Sequence, residues 1–303
     1  MCTREMASSE EVIPEFQTKR CLWLFIVLFI FLIAPSPLAA QNTPLGAAMP
    51  APQPLRAPGA GFDGFLGKNE LSYLSIIPPY PVLQSLWDEV DATVVRQWQQ
   101  SADSARWQLA KADADVSYDR FSEAFGIKID AAATPLLVHL LNRVEADFSS
   151  MIGSAKKSYN RPRPFQRFQM TRVCGFDPAP LAEASPKSGD SYPSGHATFG
   201  WSVALVLAEV APERAQIILA RGSEYGESRI VCAMHYPSDV HAGELLASAV
   251  VSRLQAVQEF KRELSCAQEE RAVALKAREQ LGSECSSLKR ELGNMGTGYA
   301  IPN

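Results

Sequence analysis

Three prolines, each at the head of a segment with helical periodicity, constrain the fold of this chain more than any other feature. They are Pro135 behind Thr134, Pro212, and Pro237 ahead of Ser238. Proline suits the first helical position, because the N–H it lacks would have no partner there and its fixed φ is already helical. Thr134-Pro135 is therefore predicted to open a helix running to about Ser158. Pro212 opens another to about Cys232, and Pro237 a third from Ser238 onward. His196 to Val210 is small and apolar nearly all round, the pattern of a buried helix. Leu83 to Ala110 places Leu86, Val90, Val94 and Trp98 on one stripe and reads as one or two helices. Ile76 to Pro81 reads as extended, and no stretch alternates convincingly as a strand would. The expected class is all-α, a helical bundle in a single globular domain. At 303 residues, 47% of them hydrophobic, the chain can bury a sizeable core.

The two ends differ from this body. Cys21 to Ala34 is nearly all apolar, follows Lys19-Arg20 and precedes Ala39-Ala40. That order predicts a signal peptide over residues 1–40, cut near Ala40, and hence a periplasmic or secreted protein. The competing possibility is an uncleaved anchor, although the run is short for a spanning helix. No other apolar run approaches the roughly 18 residues of such a helix, so the mature chain is expected to have no membrane span. Residues 41–67, rich in Pro, Ala and Gly, read as a flexible linker. The globular domain is expected over 68–254. Residues 255–303 form a charged helical tail, with Leu281, Leu288 and Leu292 at heptad-like steps and Gly282 able to break it into a hairpin. It reads as a solvated terminal helix or as an oligomerisation helix. The net charge of −4, with no basic tract, argues against binding a nucleic-acid polymer.

Three short blocks carry the chemistry. In the first, Lys156 lies near a helix end, and Pro162 and Pro164 stop that helix and push Arg161 and Arg163 into extended geometry. Lys156 and Arg163 can then converge on one anion, although a basic cluster alone is more often solvated. In the second, Pro193-Ser194-Gly195-His196 precedes the apolar helix. Ser194 is a natural N-cap, Gly195 permits close backbone approach, and a helix N-terminus favours an anion. The third runs Ser228-Arg229, then His235, then Asp239. Pro237 puts Asp239 in the first turn of a new helix, where it would fix the tautomer of His235 and stabilise its charged form. Three cations, two histidines and a carboxylate suit one kind of chemistry, in which a tetrahedral oxyanion is held while one His attacks it and the other protonates what leaves. His139, among Leu136, Leu137, Leu140 and Leu141, reads as a core residue. Glu145 and Asp147, on the helix leading to Lys156, could reach the site but are given no role in it. Four histidines outside any dense carboxylate cluster make no zinc or two-metal pattern, and no P-loop or Rossmann glycine pattern occurs, so no metal and no other cofactor is expected.

In this order and spacing, K-x6-R-P, P-S-G-H and S-R-x5-H-x3-D resemble the signature of the type 2 phosphatidic acid phosphatase (PAP2) superfamily. Within it the chain is most similar to the bacterial class A non-specific acid phosphatases. Ser191-Tyr192-Pro193-Ser194-Gly195-His196, Gly226-Glu227-Ser228-Arg229 and Ser238-Asp239-Val240 carry that likeness, which runs from about Tyr73 to about Leu254. The resemblance implies a PAP2-type helical bundle. It implies that Lys156 (not Lys157), Arg163 (not Arg161), Ser194, Gly195 and Arg229 bind phosphate, that His196 is the general acid, and that His235 is the nucleophile partnered by Asp239. It also favours a Cys174–Cys232 disulfide, both residues flanking the blocks, which leaves Cys266 and Cys285 to pair with each other or between subunits. Two departures stand out: Ala197 replaces a common Thr, and His241 replaces a usual acidic residue. The function implied is a secreted, metal-independent acid phosphatase that hydrolyses small-molecule phosphate monoesters through a phosphohistidine; separately from the resemblance, a homo-oligomer is expected. The alternatives are a vanadium-dependent haloperoxidase, whose vanadate needs the same pocket, and a non-catalytic scaffold protein with a vestigial pocket.

Overall fold

Every regular element among the described residues is helical, as the punctuation by proline predicts. A computed structural model describes residues 62–67, 70–174 and 190–294, all within a unit that begins at Met49. The expected signal peptide and most of the expected linker lie outside the described residues. The helices are α1 (Tyr73–Ile76), α2 (Leu86–Ser101), α3 (Ser104–Ala112), α4 (Ser122–Phe125), α5 (Pro135–Tyr159), α6 (Pro164–Phe168), α7 (Gly195–Val210), α8 (Ala215–Val231), α9 (Pro237–Leu254), α10 (Gln258–Ala274) and α11 (Ser283–Asn294). Short 3-10 turns at Tyr118–Phe121 and Pro212–Arg214 lead into α4 and α8. The Leu83 to Ala110 stretch divides because Ala102 is extended and Asp103 restarts the helix, accepting the Arg106 N–H at 2.7 Å.

Helices α7, α8 and α9 form the centre. They approach closely because glycines remove side chains where the axes cross. A Cβ on Gly222 would sit 2.5 Å from the Ala204 Cβ, and one on Gly243 would sit 2.6 Å from the Ser194 carbonyl oxygen. The second contact presses α9 against the first turn of α7. Helix α5 lays Leu137, Leu140, Leu141, Val144, Phe148 and Ile152 into the same core. Burial of such side chains, at roughly 25 cal/mol per Å² of apolar surface, dominates stability.

The start of α5 differs from expectation. Thr134 stands at the N-cap but makes no side-chain cap bond. The N–H groups of Leu136 and Leu137 instead donate to the buried carboxylate of Glu270, on α10, at 3.2 and 3.1 Å. A carboxylate placed there satisfies two orphan donors and complements the helix dipole. Helix α10 is correspondingly not a solvated face: Phe260, Leu264 and Ala267 join the main core. Leu281, the first of the heptad-like leucines, packs against the cluster formed by Leu288, Leu292, Leu136, Cys266 and Cys285. Residues 62–67 are also docked, with the Phe65 and Leu66 N–H groups donating to Asp147 at 3.1 and 2.9 Å. Among the described residues, Cys174 is disulfide-bonded to Cys232 and Cys266 to Cys285. No helix among the described residues is long and apolar enough to cross a membrane.

Candidate active site

The site forms where the end of α5, the start of α7 and the turn between α8 and α9 meet. Helix α5 ends at Asn160, whose φ of 48° is left-handed, and Pro162 and Pro164 keep the chain from resuming it. Arg163 is extended, as expected of a residue before proline, and Pro164 then opens the short helix α6. Lys156 is half-buried while its neighbour Lys157 is exposed. The Lys156 ammonium donates to the backbone carbonyl of Asp190. Burial, with Arg163 close by, pulls its pKa down to about 8.

His235 is 1% exposed and follows a turn in which Ala233 has a φ of 56°. Its own N–H and that of Met234 donate to the Arg229 carbonyl at 3.2 and 3.0 Å, tying the turn to the end of α8. Nε2 of His235 lies 3.3 Å from Nη1 of Arg163. Guanidinium can only donate, so Nε2 must carry the lone pair and Nδ1 the proton. Nδ1 lies 3.4 Å from Oδ2 of Asp239 and 3.5 Å from Oγ of Ser191. Burial, then Arg163, Lys156 and Arg229, hold the imidazole pKa well below its usual range. The ring is therefore neutral, with a lone pair at Nε2, which a nucleophile requires.

Asp239 is fully buried in the first turn of α9. Its Oδ2 accepts from Ser191 Oγ at 2.6 Å and from the Tyr236 N–H at 2.9 Å, and its Oδ1 accepts from Arg161 Nη1 at 2.6 Å. Burial pushes its pKa up, and Arg161 opposes that shift. Arg161 also bonds Asp91 of α2 at 2.8 Å and lies 3.9 Å over the Tyr236 ring. Both arginines of the first block thus converge here, with Arg163 toward Nε2 of His235 and Arg161 behind its carboxylate partner.

Arg229 is 3% exposed, and its Nε and Nη1 have no hydrogen-bond partner among the described residues. Burial lowers its pKa to about 10, which leaves it cationic. Ser194 caps α7 as expected, its hydroxyl oxygen accepting from the Ala197 N–H at 3.2 Å. The Ser194 N–H is committed to the Asp239 carbonyl at 2.9 Å, so the α7 start and the α9 start are held together. A Cβ on Gly195 would meet only Ile152, at 3.7 Å, so packing does not demand glycine there. His196 directs Nε2 at the Ala114 carbonyl, 3.1 Å away. A carbonyl only accepts, so Nε2 keeps its proton and Nδ1 is the nitrogen that titrates. Burial, then Arg229, lowers that pKa to about 3.

Other singled-out residues fall outside this cluster of contacts. Asp147 holds residues 65 and 66, and Glu145 accepts from Tyr118 at 3.3 Å. His139 is buried 3.6 Å from Glu263, consistent with its expected core role. His241 is exposed and Ala197 is buried. Sequence reasoning missed Asp190, whose carboxylate pairs with Arg163, together with Asp91 and the part played by Arg161. Asp91 lies 70 residues before Arg161 and carries no local signal of the pairing.

The PAP2 superfamily profile matches residues 134–262. The chain is 38% identical over 201 residues to an acid phosphatase of Zymomonas mobilis subsp. mobilis, covering 65% of this chain and 74% of that protein. It is 40% identical over 193 residues to a non-specific acid phosphatase of Salmonella typhimurium, covering 62% and 71%. It is 36% identical over 202 residues to a non-specific acid phosphatase of Providencia stuartii, covering 65% and 79%.

Proposed function

Because this chain belongs to the PAP2 superfamily, in its group of bacterial non-specific acid phosphatases, we propose that it hydrolyses small-molecule phosphate monoesters through a phosphohistidine at His235. The observation that carries this reading is Arg229. A buried guanidinium with two unpartnered nitrogens is costly unless an anion completes it. Neutral His235 stands beside the same cations, with its lone pair at Nε2.

In this mechanism Nε2 of His235 attacks phosphorus in line, forming the N–P bond as the P–O bond to the leaving group breaks. Protonated Nδ1 of His196 gives its proton to the departing alkoxide. Lys156, Arg163, Arg229, the Ser194 hydroxyl and the Gly195 N–H at the start of α7 balance charge on the equatorial oxygens, so the step needs no metal. Water then attacks phosphorus, neutral His196 takes its proton, and the N–P bond breaks to release phosphate and restore His235. Asp239 stabilises the Nδ1–H of His235 throughout. The two disulfides support an oxidising compartment, periplasmic or extracellular, reached after cleavage near Ala40.

The test is hydrolysis of para-nitrophenyl phosphate with and without EDTA, followed by acid-quenched labelling with phosphate-labelled substrate. Turnover that survives EDTA, with label on wild type and none on His235→Ala, is expected. A labelled His235→Ala protein overturns the choice of nucleophile, and turnover that needs added zinc or magnesium overturns the metal-free step.

A further inference from the structure

Asp190 has no part in the mechanism above, yet its carboxylate lies on one of the residues that mechanism uses. Its two oxygens take Nε and Nη2 of Arg163 at 2.7 and 3.0 Å, a bidentate fork. This is the geometry with which guanidinium holds a phosphate, and one planar edge cannot grip two anions at once. The nitrogen left over, Nη1, faces the Met234 carbonyl and His235 Nε2, both at 3.3 Å. Asp190 is also unlike the other carboxylates here. Asp239 and Asp91 are buried, whereas the Asp190 side chain is 54% exposed. An exposed ion pair contributes little net stability, so this one can yield to a dianion.

We propose that Asp190 is a resident competitor for the phosphate-gripping edge of Arg163, and that it sets a weak affinity for both the substrate phosphoryl group and product phosphate. This rests on the phosphatase reading. When a phosphoryl group takes the fork, the displaced carboxylate stays nearby and repels it, which speeds product release. Lys156 donates its hydrogen bond to the backbone carbonyl of Asp190, and the carboxylate acts on it only through charge, so replacing the side chain leaves that bond in place. The rival role is simple orientation of Arg163, and it predicts the opposite effect, since loss of the carboxylate would then weaken phosphate binding.

The experiment compares wild type with Asp190→Asn, Asp190→Ser and Asp190→Glu. Inorganic phosphate affinity is read by calorimetry and by competitive inhibition, alongside KM and kcat for para-nitrophenyl phosphate. Removing one negative charge beside a dianion is expected to tighten phosphate binding about fivefold or more in the Asn and Ser variants. KM should fall in parallel, kcat should hold or fall, and Asp190→Glu should stay near wild type. Unchanged or weakened phosphate affinity in Asn and Ser, with wild type active, overturns this proposal and leaves the phosphatase reading standing. Wild type that binds phosphate but hydrolyses no monoester overturns the phosphatase reading. Wild type that neither hydrolyses monoesters nor binds phosphate overturns both.

Discussion

The tautomer of His235 is defined by what its neighbours cannot do. Arg163 cannot accept a hydrogen bond, so Nε2 holds a lone pair, and the carboxylate of Asp239 cannot donate one, so Nδ1 holds the proton. Asp239 is itself surrounded by donors, since Arg161 and the Tyr236 N–H can only donate. Asp239→Asn must aim its amide NH2 at one of these. It should lower kcat on the order of a thousandfold or more, as loss of a tautomer-fixing carboxylate does. It should also destabilise the fold by about 1–3 kcal/mol through an unsatisfied buried donor. Wild-type kcat and melting temperature in this variant would show that Asp239 does not serve His235. A second prediction concerns His196, whose pKa is pulled to about 3 by burial and then by Arg229. The proposed acid role needs its protonated form, which is lost as pH rises through that pKa. A bound phosphoryl group adds negative charge beside the same ring and raises the pKa. The basic limb of kcat should therefore lie at higher pH than that of kcat/KM. Coincident basic limbs in the two profiles would remove His196 as the acid.

Among the elements, the crossing of α7 and α9 ties the fold to the chemistry. Gly243 lets α9 lie on the first turn of α7, and the Ser194 N–H then bonds the carbonyl of Asp239. A Cβ at position 243 would meet backbone oxygen at 2.6 Å, which only helix movement relieves. Gly243→Ala should cost about 1–3 kcal/mol, as overpacking does, and should lower kcat more than its stability loss explains, because Asp239 moves with α9. Glu270→Ala is the control. It removes the cap of α5 at the end of that helix opposite Lys156 and should cost about 1 kcal/mol or more while leaving kcat near wild type. Equal kcat in the two variants, measured well below their melting temperatures, would uncouple the crossing from the site. These elements also show what the sequence could reveal. Pro135, Pro212 and Pro237 mark helix starts by local chemistry, and Ser194 announces its cap in the same way. The packing of α10 was not legible, because Glu263, Glu270 and Arg271 read as solvated charge until their partners on distant segments are known. Arg161 was hidden for the same reason, its carboxylates Asp91 and Asp239 lying on separate helices.

At the scale of the whole molecule, the two disulfides divide the work of holding the fold from that of holding the site. Cys174–Cys232 closes 58 residues and Cys266–Cys285 closes 19. Chain entropy alone makes the first worth ~4 kcal/mol and the second ~3 kcal/mol. Their positions separate them further. Cys232 is fully buried at the end of α8, between Arg229 and His235, and the next residue, Ala233, accepts the Phe165 N–H of α6 at 3.1 Å. That bond links the His235 turn to the segment that begins with Arg163. Cys266 and Cys285 join α10 to α11 in a cluster with Leu136, at the end of α5 remote from Lys156. Replacing Cys174 and Cys232 together by Ser should therefore lower both the melting temperature and the kcat of the folded fraction. Replacing Cys266 and Cys285 together should lower the melting temperature with kcat nearly kept. The measurement is thermal unfolding paired with kcat normalised to phosphate- or vanadate-binding sites, so that unfolded protein does not count as slow enzyme. If the Cys174/Cys232 double variant keeps wild-type kcat per binding site, the turn before His235 is held by its hydrogen bonds alone, and that disulfide acts only on stability.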